Sequence, residues 1–359
     1  MATVRIPQAA PPEVSSDGVE LTYRDTRRTV TGVRLAHDIS GLDADTTFER
    51  LGRARTWRLW LPRPPVDRFE YQLEVFHRDG GSEWLLDPLN EARVPGAFGD
   101  KNVIEFPEYD APGWVFADAP QGAIETLQIP SRALRAKVTA DVWSSPGADP
   151  GKPLPLLVVH DGPETAKLTQ LVDFLALAVE AGALPPLRAA LLHPVRRDDT
   201  YSAAAAYGRA LANEIVPGLE EVAPTPFRKR MRIGMGASLG ALAAFHAHRE
   251  HPDLFGALFL QSGSFFRRAD EHERWFGRFE RIARFMAKVE RGHGADPIPV
   301  AITVGTGEQN LDANRHLART LEGQGYEVTL VENPDAHTWI GWRDTYEPHL
   351  LDLLRTRWA

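Results

Sequence analysis

Between residues 156 and 332 the chain repeats one pattern: a short apolar run, a segment of helix length, then another apolar run. Leu156–His160, Arg188–His193, Met231–Met235, Ala257–Gln261, Val300–Val304 and Tyr326–Glu332 read as strands. The first of them, Leu-Leu-Val-Val-His, has no polar face, as suits a strand covered on both sides. Thr165–Ala181, Ala203–Val222, Leu239–Arg249, Ala313–Gln324 and Thr345–Arg357 read as helices between or after these strands. A helix between successive strands lets them run in the same direction, so the pattern predicts an open, mostly parallel sheet flanked by helices. An edge-like β region, Ile124–Trp143, and a Pro/Gly-rich turn, Ser145–Pro155, precede it.

The first hundred residues follow a different rule. Val19–Tyr23, Thr29–Leu35, Thr56–Leu61, Phe69–Phe76 and Asn102–Phe106 are strand-like, with a hairpin turn at Arg78-Asp-Gly-Gly81 and no amphipathic helix among them. Phe69–Val75 alternates apolar and polar residues, the mark of a half-buried antiparallel strand. This region predicts a β-sandwich. Asp110–Gly122, with two prolines and two glycines, reads as the connection, so two domains are expected, residues 1–115 and 116–359.

Composition removes several classes of function. The 359 residues contain no cysteine, which excludes disulfide scaffolds, thiolate metal sites and cysteine nucleophiles. A net charge of -8 argues against nucleic acid or an anionic membrane as partner. The opening stretch MATVRIPQAAPPEV reads as a loose leader without the basic and apolar regions of a signal peptide, and no run of 18 apolar residues occurs. A cytoplasmic protein is the expectation, with a homodimer an open possibility.

The chemistry concentrates at Gly236-Ala-Ser238-Leu-Gly240, which joins a strand to a helix. A serine at such an elbow is lifted above the sheet edge, and strand and helix come so close that the flanking positions must be small. Alone the motif is common; the strand before it and the small-residue helix after it make Ser238 the candidate nucleophile of an α/β-hydrolase fold. The backbone N–H of Leu239 would face the developing oxyanion. The second donor is expected from the turn Asp161-Gly-Pro-Glu164, where Pro163 has no N–H, leaving Gly162 ahead of Glu164.

Hydrolases of this class carry serine, acid and histidine in that order. His337 lies in a loop between the last strand and the last helix and is the candidate base; His316 and His349 lie within helices. For the acid, Glu308 just past Val300–Val304 ranks first, with Asp312 (alternatively a helix cap) and Asp335 behind it. Arg196, Trp339 and Trp342 are candidate substrate contacts, each with a packing or surface role as the alternative. Ser262 and Ser264 read as turn residues. His246-Ala-His-Arg-Glu-His251 lacks metal-site spacing. The charged stretch Arg267–Arg291 reads as a solvated insertion helix or a lid.

His160-Asp-Gly162, Gly236–Gly240, Gln261-Ser-Gly-Ser264, Val304-Gly-Thr-Gly-Glu308 and Ala336-His-Thr-Trp-x-x-Trp-Arg343 together resemble an esterase family of α/β hydrolases. That family includes enterochelin esterases, feruloyl esterases and mycolyltransferase antigens. The last block is similar to the Gly-Gly-His-x-x-x-x-Trp-Arg pattern of enterochelin esterase-like members, with Asp335-Ala336 in place of the glycines. Glu83–Asn90 and Phe98–Val103 resemble the immunoglobulin-like early-set domains that precede such esterases, and also glycan-associated sandwiches. The resemblance implies an acyl-enzyme mechanism at Ser238 with no metal or organic cofactor. It also implies a small-molecule ester substrate, with a siderophore lactone as one candidate. Acyl transfer, a feruloyl or acetyl carbohydrate ester, and non-catalytic glycan or siderophore binding stand as alternatives.

Overall fold

The computed structural model describes residues 9–52 and 55–358; the start of the expected leader, residues 1–8, lies outside them. The chain divides into two compact units. One comprises residues 1–110 together with 305–309 and 334–338; the other comprises 111–304, 310–333 and 339–359. The change falls at Asp110/Ala111 rather than after residue 115. Trp114 accounts for the difference: its ring packs 5.0 Å from that of Phe174 within the second unit's core.

The described residues of the first unit form nine strands: β1 (Glu13–Ser15), β2 (Gly18–Arg24), β3 (Val30–His37), β4 (Glu49–Arg50), β5 (Thr56–Pro62), β6 (Arg68–His77), β7 (Ser82–Leu85), β8 (Arg93–Val94) and β9 (Lys101–Glu105). They form two antiparallel sheets, ordered β1-β2-β5-β4 and β3-β6-β9-β8, with β7 also on β6. Val19, Leu21, Leu59 and Leu61 from one sheet share a core with Val33, Leu35, Phe69, Leu73 and Val75 from the other. The alternation of β6 is therefore real, since Phe69, Tyr71, Leu73 and Val75 face inward. Its other face differs from the half-exposed expectation. Arg68, Glu70 and Glu74 are buried as well, each with an ion-pair partner.

The second unit is built on one eight-stranded sheet, introduced in chain order as β10 (Ala123–Ser131), β11 (Ala136–Ser144), β12 (Leu156–Val159), β13 (Arg188–Leu192), β14 (Arg232–Ala237), β15 (Ala257–Gln261), β16 (Val300–Gly305) and β17 (Val328–Asn333). Their spatial order is β10-β11-β13-β12-β14-β15-β16-β17. β11 is antiparallel to both of its neighbours, β10 and β13, and β13, β12, β14, β15 and β16 run parallel. Separate apolar clusters cover the two faces of this sheet, which is why β12, β13 and β15 are buried along their whole length.

The helices depart from expectation where the backbone is interrupted. The segment expected over 165–181 is two helices, Gly162–Thr169 and Leu171–Glu180, broken by left-handed Gln170 (φ 54°). A π-helical turn, Leu211–Ile215, interrupts the helical run from Ala205 to Val222. Phe279–Glu290, in the expected lid or insertion, buries Phe279, Ile282, Phe285, Met286 and Val289, so this helix has a core face. No helix among the described residues is long and apolar enough to cross a membrane.

Candidate active site

Ser238 lies between β14 and the helix Leu239–Glu250 with φ 55° and ψ -122°, a backbone conformation an L-residue adopts only under strain. The turn admits no bulk on either side. A Cβ on Gly236 would lie 2.4 Å from the carbonyl carbon of Gly240. One on Gly240 would lie 3.1 Å from His160 Cβ and 3.2 Å from Asp161 Oδ2. The two glycines are thus explained by close approach, as the motif argument requires. Ser238 N–H donates to Gln261 O (2.9 Å), Ser264 N–H donates to Ser238 O (3.2 Å), and the Ser238 and Ser264 hydroxyls lie 3.2 Å apart.

The two expected oxyanion donors occupy equivalent places. Leu239 and Gly162 are the first residues of their helices, where a backbone N–H has no partner within the helix and the positive end of the helix dipole lies. The strands leading to them, β12 and β14, are parallel neighbours. Gly162 is also sterically required, because a Cβ there would lie 2.3 Å from the Leu191 backbone. Pro163 sits in the first helical turn, where the missing N–H costs nothing.

In the first unit the structure brings Glu308 and His337 together. Glu308 Oε2 lies 2.9 Å from His337 Nδ1, and its Oε1 accepts the Gly305 N–H at 2.9 Å. The carboxylate is almost fully buried and the imidazole is one-third exposed. An ionised carboxylate only accepts, so Nδ1 carries the proton and Nε2 is left basic.

The other two acid candidates are engaged elsewhere. Asp312 is the second residue of the helix Leu311–Gly323, exposed and paired with Arg315; the cap position belongs to Asn310. Asp335 is buried, with Oδ2 3.2 Å from Arg68 Nη1 and Oδ1 accepting from Ala336 N–H and the Thr338 hydroxyl. Burial pushes the Asp335 carboxyl up to about 7 despite the guanidinium.

Arg196 is exposed, with left-handed backbone (φ 47°), and donates to Leu134 O at 3.1 Å. It lines an open cleft of about 630 Å³ together with Arg197, Trp275 and Arg278. Trp342 is a buried packing residue whose indole N–H donates to Ser262 Oγ at 2.8 Å, while Trp339 is half-buried with its ring edge-on to Trp342.

Three features escaped sequence reasoning. Ser264, read as a turn residue, places its hydroxyl beside Ser238. The turn that carries it is held by Asn310 and Asn314, whose side chains bond the backbone of Ser262 and Gly263. Asp161 forms a two-bond pair with Arg197 (2.8 and 2.7 Å), and His160, fully buried beneath the elbow, is held neutral by desolvation with its pKa lowered to about 4. The blocks His160-Asp-Gly162 and Gln261-Ser-Gly-Ser264 were the available signals; neither states a partner.

A strained serine elbow at the C-terminal end of a mostly parallel, helix-covered sheet defines an α/β-hydrolase-like protein. The chain belongs to the esterase family whose model is described as "Putative esterase" and matches residues 131–352, more than half its length. Iron(III) enterobactin esterase of Escherichia coli K12 is 28% identical over 283 residues, 75% of this chain and 67% of that protein. The enzyme of the same name from E. coli O6:H1 is 28% identical over 189 residues, so this chain's match spans less than half the length of that relative, 46%. Among solved structures, the enterobactin esterase of Shigella flexneri crystallised in the presence of enterobactin superposes with a TM-score of 0.77 at 20% identity. That superposition covers 97% of this chain and 96% of the other and includes an N-terminal all-β region.

Proposed function

We propose that this protein is a serine esterase in which Ser238, His337 and Glu308 act as one triad through an acyl-enzyme. The observation that carries the reading is the strained Ser238 elbow, which lies inside the matched family region. It is supported by the Glu308–His337 hydrogen bond, which leaves Nε2 as the basic nitrogen.

In this mechanism Ser238 Oγ attacks the ester carbonyl as its proton passes to His337 Nε2. The N–H groups of Leu239 and Gly162 take the charge that develops on the carbonyl oxygen. Collapse of the tetrahedral intermediate expels the alcohol, which leaves with the proton from His337. Water, deprotonated by the same nitrogen, then releases the acid and restores the serine. Glu308 fixes the tautomer throughout.

The proposed substrate is a siderophore ester of the enterochelin type, on the strength of what the relatives' names state. Arg196 and the cleft it lines would hold an anionic part of it. For the first unit we keep the early-set, immunoglobulin-like reading, supported by two antiparallel sheets around one core.

Labelling with a fluorophosphonate probe, followed by peptide mapping, tests the mechanism. Modification at Ser238, absent in Ser238→Ala and accompanied by turnover of p-nitrophenyl butyrate, is the expected result. Undiminished siderophore affinity with no labelling and no turnover would identify a binding protein on a hydrolase fold instead. A panel of ferric and metal-free trilactone siderophores, feruloyl esters and short acyl esters tests the substrate.

A further inference from the structure

We propose that Arg68, with its partners Asp335 and Thr338, is a positioning device that fixes the loop carrying His337, which assigns the β-sandwich a role in the reaction. The inference rests on the esterase reading above and extends it to residues that never touch substrate.

The geometry is local to the first unit. Arg68 begins β6 and is buried to 1% exposure. Its Nη1 donates to Asp335 Oδ2 (3.2 Å) and to the Thr338 hydroxyl (3.3 Å), and its Nη2 donates to Glu70 Oε1 (3.3 Å). Asp335 Oδ1 in turn accepts from Ala336 N–H (2.6 Å) and the Thr338 hydroxyl (3.1 Å), while Thr338 N–H donates to Ala336 O (2.9 Å). Every residue flanking His337 from 335 to 338 is therefore bonded into one network around the guanidinium.

The backbone repeats the arrangement. Asp67 N–H donates to Pro334 O (2.7 Å), securing the start of the base loop to the residue before Arg68. Gly307 N–H donates to Asp335 O (3.0 Å), tying the acid turn to the base loop. Ser40 N–H reaches Gly307 O (2.7 Å) and the Thr306 hydroxyl reaches Pro65 O (2.7 Å). Glu308 and His337 thus stand on two short segments held by the same strands and loops of the sandwich.

A purely structural role explains this cluster less well. Well-packed apolar residues of similar volume usually stabilise a fold at least as much as a buried ion pair, because desolvation offsets the attraction between the charges. What such a cluster supplies is directional constraint. A general base needs that, since displacement of reacting groups by about 1 Å can cost on the order of a hundredfold in rate.

The test compares Arg68→Met and Thr338→Val with the wild type. Arg34→Ala is the control: it removes another ion pair of the same unit, between Arg34 and Glu74, from an exposed position. Three quantities are read: kcat and KM on p-nitrophenyl butyrate, the low-field proton resonance of His337 Nδ1, and the thermal midpoint. In Arg68→Met and Thr338→Val, kcat is expected to fall by roughly ten- to a hundredfold with KM within about twofold. The His337 resonance should broaden or vanish while the fold persists, and Arg34→Ala should retain both signals.

Folded variants that keep wild-type kcat and the His337 resonance would overturn the inference. Where Arg68→Met does not fold, Thr338→Val decides the matter on the same readouts. The esterase reading fails separately, by absence of Ser238 labelling in the wild type. The His337 resonance still reports positioning in that event.

Discussion

Ser238→Gly should give a protein more stable than Ser238→Ala, although both are expected to be inactive. At φ 55° and ψ -122°, a residue with a Cβ costs about 1–3 kcal/mol, and alanine retains that strain while glycine relieves it. Against this, glycine loses more chain freedom on folding, about 0.5–1 kcal/mol. Both substitutions remove the hydroxyl and its 3.2 Å contact with Ser264, so that term cancels. Ser238 is half-buried, so little packing is at stake in its Cβ. The balance favours glycine by about 1 kcal/mol, which for a domain of this size is about 2–4 °C in Tm. Paired urea titrations of the two variants, followed by far-UV circular dichroism and compared at a shared m-value, measure the difference directly. A Ser238→Gly protein equal to or weaker than Ser238→Ala would refute the claim that the elbow stores strain. The steric account of the motif would then lose its main support.

Other perturbations test other parts of the structure. Glu308→Gln keeps the shape of the acid but no longer fixes the His337 tautomer, so kcat should drop by about a thousandfold or more with KM little changed; a tenfold loss would place the acid elsewhere. Gly236→Ala drives a Cβ to 2.4 Å from the Gly240 carbonyl carbon and should cost about 3 kcal/mol in a denaturant melt, whereas near-neutral stability would contradict the close approach. His160, His246 and His248 have pKa values lowered by burial to about 4, below an unfolded value of 6.5. The folded state therefore binds fewer protons than the unfolded state. Each contributes stability that is whole above pH 6.5 and lost towards pH 4, about 2 kcal/mol apiece by pH 5. Asp335, raised above its unfolded value, offsets part of this over the same interval. A thermal midpoint flat from pH 7 to pH 4.5 would count against neutral buried imidazoles. Glu70→Gln removes one of two carboxylates sharing Arg68 and should shift the midpoint more favourably at pH 8, where Asp335 is charged, than at pH 5, where it is protonated; an equal shift at both would show that Asp335 does not change charge between them.

The second unit was legible because the central strands of its sheet are buried on both faces. Leu156–Val159 and Ala257–Gln261 have no polar side to confuse the period, and each is found within a residue of its expected bounds. Legibility failed where geometry departs from propensity. Nothing in Leu168-Thr-Gln-Leu171 announces a left-handed Gln170, because glutamine is an ordinary helix former. The two-residue strands Glu49–Arg50 and Arg93–Val94 are too short to carry any period. In the site, local sequence singles out a serine between glycines, which stands at a strained turn, and a histidine in the loop after the last strand and a carboxylate at a strand end, which pair with each other.

Arg68 belongs to the other category. In Arg68-Phe-Glu-Tyr-Gln-Leu-Glu74 its position predicts the solvent-facing side of a half-buried strand, and the alternation gives no reason to doubt it. It is buried because a segment 267 residues further along the chain supplies Asp335 and Thr338 to meet it. Sequence spacing presents Asp335 only as a candidate acid two residues before His337. Local spacing could suggest that the two were related but not how. The carboxylate accepts hydrogen bonds from Ala336 and Thr338, on either side of His337 in the chain, and ties that loop to a charge on the sandwich. Long-range pairings of this kind leave no periodic trace, so a buried charge whose partner lies far along the chain is the kind of residue that sequence pattern assigns to the surface.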